Sequence, residues 1–221
     1  MLALVDTCQA TATARGRLCA CLEPPALGRL RAIAADERLA AGEVLFAPGQ
    51  PAQSLYGVRQ GAVMLVRTLG DGRRQVLSFL FPGDVFGFEP DAVHSCSAIA
   101  LRRSGFCRFP LAGLDEDLQL AVRLHAVACA CLAEGLEHML RLGRMTAAER
   151  VAGFFYRLWV RLDRPAELHL PMRLLDVADH LGLRMETVCR HLAALRRAGV
   201  VGPLGPDGDL PVLDPEALRR R

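Results

Sequence analysis

The sequence predicts an α+β chain: an N-terminal antiparallel β-roll, one long helix, and a C-terminal winged helix-turn-helix. Three observations predict it. Residues 41–88 set short runs rich in Val, Leu and Phe between Gly turns. From Leu118 onward, apolar positions recur at alternating steps of four and three. Residues 174–195 then place a small residue, a glycine and two apolar anchors at the offsets of two helices joined by a sharp turn.

Residues 24–35 read as a short helix ahead of the roll. Within the roll, Gly70-Asp71-Gly72 separates GAVMLVRTL from RRQVLSFL and marks a hairpin, because Asp-Gly supplies the positive φ of a tight turn. Strands near residues 95–101 and 105–109 complete the roll. Leu118, Val122, His125, Cys129, Leu132, Leu136, Met139 and Gly143 form a heptad seam, which a second copy of the helix would cover. Packing of that seam on its own domain is the competing reading.

Thr146 and Glu149 have the spacing of a capping box and start a further helix. A break follows at residues 163–171, and then LLDVADHLGLRMETVCRHLAAL. There Ala178 suits a helix crossing, Gly182 the turn, and Val188 and Leu192 anchor the second helix. PLGPDGDLPVLD reads as a hairpin wing turning at residues 207–208. The domain boundaries are thus 1–22 for a Cys-containing segment, 23–113 for the β-roll, 114–144 for the pairing helix and 145–221 for the winged unit.

Composition narrows the function. The chain has 221 residues, 52% of them hydrophobic, enough to bury a real core. Its first thirty residues lack a long apolar run, which points to the cytoplasm and away from a membrane. A net charge of +3 is too small to argue for nucleic acid by itself. Its distribution says more: Arg184, Arg190, Arg196, Arg197 and His191 face only Glu186 between residues 184 and 197. All the basic residues other than His are Arg. Eight Cys without an export signal argue for thiols, metal ligands or redox sensors rather than disulfides. No phosphate loop, nucleophile elbow or H-E-x-x-H helix supports an enzyme.

Glu186, Cys189 and Arg190 lie three and four apart, so they share one face of the second helix. Arg is a bidentate partner of guanine, and a carboxylate accepts from cytosine N4, so that face suits a G·C pair. A surface ion pair between Glu186 and Arg190 is the bland alternative.

The order of roll, long helix and winged unit resembles the CRP/FNR family of bacterial transcription regulators over nearly the whole chain. GDVFGFE (83–89), MLRLGRMTAAERVAGFFYRLWVRL (139–162) and LGLRMETVCR (181–190) carry the resemblance, on the FNR and FixK side. It implies a cyclic-nucleotide-binding-like roll, a homodimer, double-stranded DNA and RNA polymerase as partners, and oxygen- or redox-related control. It also implies a Glu, Ser, Arg reading set on TTGA-like half-sites. Glu186 and Arg190 match, Cys189 stands where Ser is expected, and Arg184 and Thr187 complete the candidate DNA-binding set. Met185 stands where the cyclic-AMP receptor has Arg, which favours the FNR-type half-site.

Cyclic-nucleotide pockets of the family place an Arg on the phosphate after the GD turn. No Arg lies between Gly83 and Cys96, which speaks against such a ligand. The FNR subgroup carries a 4Fe-4S cluster on three N-terminal Cys and one in the roll. By resemblance, Cys107 matches the roll position and Cys8 and Cys19 span the N-terminal distance. The second N-terminal Cys is missing, and Cys21 is put forward as the fourth thiolate that such a cluster needs. Ordinary reduced thiols in a FixK-like chain with no bound sensor are the alternative. Cys189, on the reading face beside Arg190, is a separate redox candidate. A cyclic-nucleotide-binding signalling module without DNA readout is the second functional class.

Overall fold

The computed structural model describes residues 18, 22–112, 114 and 117–220. The chain divides into two compact units, Met1–Arg73 with Leu77–Gly135, and Arg74–Val76 with Leu136–Arg221.

The first unit opens on α1 (Pro24–Ile33), with proline in its first turn, where the missing N–H costs nothing. The strands that follow are β1 (Ala35–Leu39), β2 (Val44–Phe46), β3 (Ser54–Gln60), β4 (Val63–Thr68), β5 (Arg74–Leu80), β6 (Val85–Phe86), β7 (Ser97–Ala100) and β8 (Ser104–Pro110). They form two four-stranded sheets in the orders β1-β8-β3-β6 and β2-β7-β4-β5. The expected roll is present, with one addition. Residues 34 and 35 do not extend α1: Ala34 is extended, and β1 pairs antiparallel with β8.

Alternation along β8 sorts its side chains onto two cores. Phe106 enters a core shared by both sheets, with Phe46, Val58, Val63, Leu80 and Phe86. Cys107 and Phe109 enter the other, with Ala26 and Leu30 of α1 and with Leu18 and Leu22. The β4–β5 turn is the expected one: Gly72 has φ 85°, and its N–H donates to the Leu69 carbonyl at 2.9 Å. Gly61, at the β3–β4 turn, has φ 92°, and a Cβ there would lie 2.6 Å from the Arg103 carbonyl oxygen, so only glycine fits.

Helix α2 (Leu118–Arg144) begins four residues later than the proposed segment boundary. Asp117 sets its start, its carboxylate accepting from the N–H groups of Gln119 and Leu120 and pairing with Arg29. Leu120 and Val127 are buried in the core that holds Cys107, with Leu124 packed against it.

The second unit holds α3 (Ala147–Arg161), β9 (Glu167–His169), α4 (Leu174–Leu181), α5 (Met185–Arg197), β10 (Asp209–Pro211) and α6 (Pro215–Arg220). The capping box forms as expected: Thr146 Oγ1 accepts from Glu149 N at 3.3 Å, and Glu149 Oε2 accepts from Thr146 N at 2.7 Å. The break at residues 163–171 is ordered. Asp163 and Arg164 adopt left-handed φ, the Trp159 indole N–H donates to the Pro165 carbonyl at 2.8 Å, and β9 follows.

His138, on the part of α2 within this unit, stacks on His180 of α4 with ring centroids 4.2 Å apart. Burial first, then the neighbouring His138 ring, pushes His180 down to about 3, and burial also lowers His138. The folded state therefore favours neutral imidazoles. The stabilisation is complete above the ordinary value of about 6.5 and drains away as pH falls below it. Between pH 7.5 and 5.5, His180 alone should lose the unit about 1.3 kcal/mol. Urea titrations at the two pH values should show that loss, and His180→Gln should shrink it by a similar amount. An unchanged pH slope in the variant would contradict the assignment.

Candidate nucleic-acid interface

The reading helix α5 is held from beneath by apolar packing. Val188, Leu192 and Leu195 are buried, and Ala178, Val177 and Leu181 of α4 are buried in the same unit. Gly182 caps α4 in the left-handed conformation (φ 61°), so its N–H and that of Leu183 both close on the Ala178 carbonyl. A side chain at that φ would cost about 1–2 kcal/mol. Arg150 of α3 donates to the Leu181 carbonyl at 2.7 Å, satisfying an orphan acceptor at the end of α4. Together these fix the angle at which α5 leaves the turn.

The opposite face of α5 points to solvent. Glu186, Cys189 and Arg190 are exposed, Arg184 at the N-cap is exposed, and Thr187 is half-buried. The helix thus brings together the whole candidate DNA-binding set within its first two turns. No ion pair joins Glu186 to Arg190 among the described residues. Both side chains keep their donors and acceptors for another molecule. Arg196 and Arg197 are exposed at the far end of the same helix.

The wing also forms. Val201 bridges Val212, Gly202 N donates to the Pro211 carbonyl at 2.8 Å, and Gly208 turns the chain with φ 88°. Its strand β10 pairs antiparallel with β9.

The seam residues of α2 are exposed, those up to Leu132 in the first unit and Leu136 and Met139 in the second. Leu118, Val122, Leu132, Leu136 and Met139 are each more than half exposed, and His125 and Cys129 are exposed with them. Cys131, next to the seam, is exposed as Cys129 is. By length and composition α2 also meets the requirements of a membrane-crossing helix.

Cys107 is buried, and Cys96, also buried, has its thiol pushed up to about 11 by burial. Cys8, Cys19 and Cys21 lie outside the described residues. In the loop after β6, His94 is buried and stacks on Phe46 at 3.6 Å, while Glu89 accepts from the backbone and hydroxyl of Ser95. No local signal in the sequence announces this stacked and internally bonded loop, since Phe46 and His94 are far apart in the chain.

A sheet roll joined through a long helix to a winged helix-turn-helix with a free polar reading face defines a two-part DNA-binding regulator. A cyclic nucleotide-binding domain model matches residues 36–119, and a Crp-like helix-turn-helix domain model matches residues 149–221. The chain belongs to the CRP/FNR family of transcription regulators. It is 37% identical over 178 residues to the nitrogen fixation regulation protein FixK of Rhizobium meliloti, covering 80% of this chain and 82% of that one. It is 34% identical over 218 residues to the transcriptional activatory protein AadR of Rhodopseudomonas palustris, covering 95% and 90%. The solved structure of FixK2 from Bradyrhizobium japonicum superposes with a TM-score of 0.80 at 34% identity, covering 85% of this chain and 96% of that one.

Proposed function

We propose that the protein works in the cytoplasm as a homodimer, paired along α2, that reads a twofold-symmetric TTGA-like site through α5 and engages RNA polymerase there. The observation that carries this reading is the exposed Glu186, Cys189 and Arg190 face on a helix whose other face is fully used. Pairing is supported by the two stripes of α2: one is spent on the core with Cys107, and the other stays apolar and uncovered. A twofold pair of winged units matches a palindrome by symmetry. We read α2 as a pairing helix rather than a span, since Arg123, Glu134, Glu137 and Arg141 interrupt it. The segment boundaries 114–144 and 145–221 belong to the same reading. A signalling module without DNA readout would present a more apolar or aromatic surface on α5.

The test is a titration of wild type and Arg190→Ala onto a TTGA palindrome and a scrambled duplex at matched salt. The variant should lose about 1–3 kcal/mol on the palindrome and less on the scrambled DNA. Equal losses would assign Arg190 to phosphate alone.

For the signal, we propose that Cys107 with Cys8, Cys19 and Cys21 holds a 4Fe-4S cluster, which would make DNA binding respond to oxygen. Leu18 and Leu22, which flank Cys19 and Cys21 in the sequence, pack in the same apolar core as Cys107. A buried thiol among aliphatic side chains suits a cluster ligand shielded from solvent. No cyclic nucleotide is part of this reading. Phe46 and His94 stack against each other, Glu89 is committed to Ser95, and no Arg stands between Gly83 and Cys96.

A further inference from the structure

His125 and Cys129 stand four apart on the exposed seam of α2, and the Cys129 Sγ lies 3.5 Å from the His125 Nε2. Both occupy positions that a paired helix fills with apolar residues, between Val122 and Leu132. Around a tetrahedral Zn²⁺, with Zn–N about 2.0 Å and Zn–S about 2.3 Å, neighbouring N and S donors sit roughly 3.5 Å apart. The two side chains are thus already separated by one edge of such a tetrahedron. Within one chain the set stops there, for no group of three or more metal-binding side chains occurs among the described residues.

We propose that a second copy of the chain completes the set, and that the seam binds one Zn²⁺ per dimer through His125 and Cys129 of each copy. This rests on the homodimer reading above. In a parallel, in-register pair, each seam position meets its own counterpart across the axis, so two imidazoles and two thiolates converge between adjacent layers. Two thiolates cancel the charge of Zn²⁺, and neutral imidazoles add none, so the site carries no net charge into an apolar seam. Each metal bound displaces two thiol protons to solvent, and binding therefore weakens as pH falls. Without metal, the same layer would bury two imidazoles and two thiols with few partners, which weakens the pair. Because only the dimer has four donors, metal at a hundred times its dissociation constant should tighten pairing about a hundredfold.

Co²⁺ serves as the probe, with full-length protein stripped of metal and kept reduced in the absence of air. Wild type, Cys129→Ser, His125→Gln and, as control, Cys131→Ser are titrated, and the association state is measured by sedimentation in the same samples. Wild type and Cys131→Ser should bind one Co²⁺ per two chains more than the other two variants do. Its absorption should show the thiolate charge-transfer and tetrahedral d–d bands, both lost in Cys129→Ser. Far-ultraviolet circular dichroism checks that each variant is folded. A dimeric wild type whose cobalt uptake equals that of Cys129→Ser overturns the metal site and leaves the dimer standing. A wild type that stays monomeric with cobalt present overturns the dimer reading and the site together.

Discussion

Leu132→Asp should convert the protein from dimer to monomer at micromolar concentration while leaving each chain folded. Leu132 is 65% exposed in the single chain, so a carboxylate there costs the fold little. In the proposed dimer it would meet its counterpart across the seam, and two carboxylates would be buried against each other. An uncompensated buried charge costs about 3–5 kcal/mol, which is roughly two to nearly four orders of magnitude in the dimer dissociation constant. DNA affinity should fall with it, since a monomer holds only one half-site. Sedimentation equilibrium with a circular dichroism spectrum checks both halves of the expectation. A variant that still runs as a dimer would move the interface off this stripe of α2.

The second large effect is all-or-none. Protein isolated without air should carry iron and acid-labile sulfide in the 4Fe-4S ratio, and Cys107→Ala and Cys19→Ala should each abolish it. Cys96→Ala should not. Although Cys96 is also buried, it belongs to the core between the two sheets, whereas Cys107 faces the core that contains Leu18 and Leu22. The two thiols thus lie on different faces of the roll. Iron-free, colourless wild type from strictly anaerobic preparation would contradict the cluster and leave a regulator with reduced thiols.

Much of the architecture was legible because short-range chemistry dictates it. Asp71-Gly72 fixed the β4–β5 turn, Thr146 and Glu149 the start of α3, and Gly182 the corner between α4 and α5. Periodicity picked out an exposed apolar stripe of α2, since an i, i+3, i+4 pattern names a face whatever covers it. What it missed was the second stripe: Leu120 and Val127 blend into an apolar helix, and only the core with Leu30 and Cys107 distinguishes them. Strand β1 was missed because ADERL is mostly polar and sits at a sheet edge, where partnering with β8 rather than side-chain pattern makes it a strand. Strand β9 is three residues long and owes its existence to β10. In the candidate site, the spacing of Glu186, Cys189 and Arg190 places them on one exposed face, because one helix presents them all. The stacks of His138 on His180 and of Phe46 on His94 join residues distant in the chain, and no local signal announces such pairs.

The central claim is that two chains read one twofold site through α5, and the titration onto the TTGA palindrome tests it most directly when read for stoichiometry. With wild-type protein, two chains should bind each duplex, protecting half-sites about one helical turn apart, with at least a thousandfold preference over scrambled DNA at physiological salt. One chain per duplex, or equal affinity for the palindrome and the scrambled sequence, would contradict it.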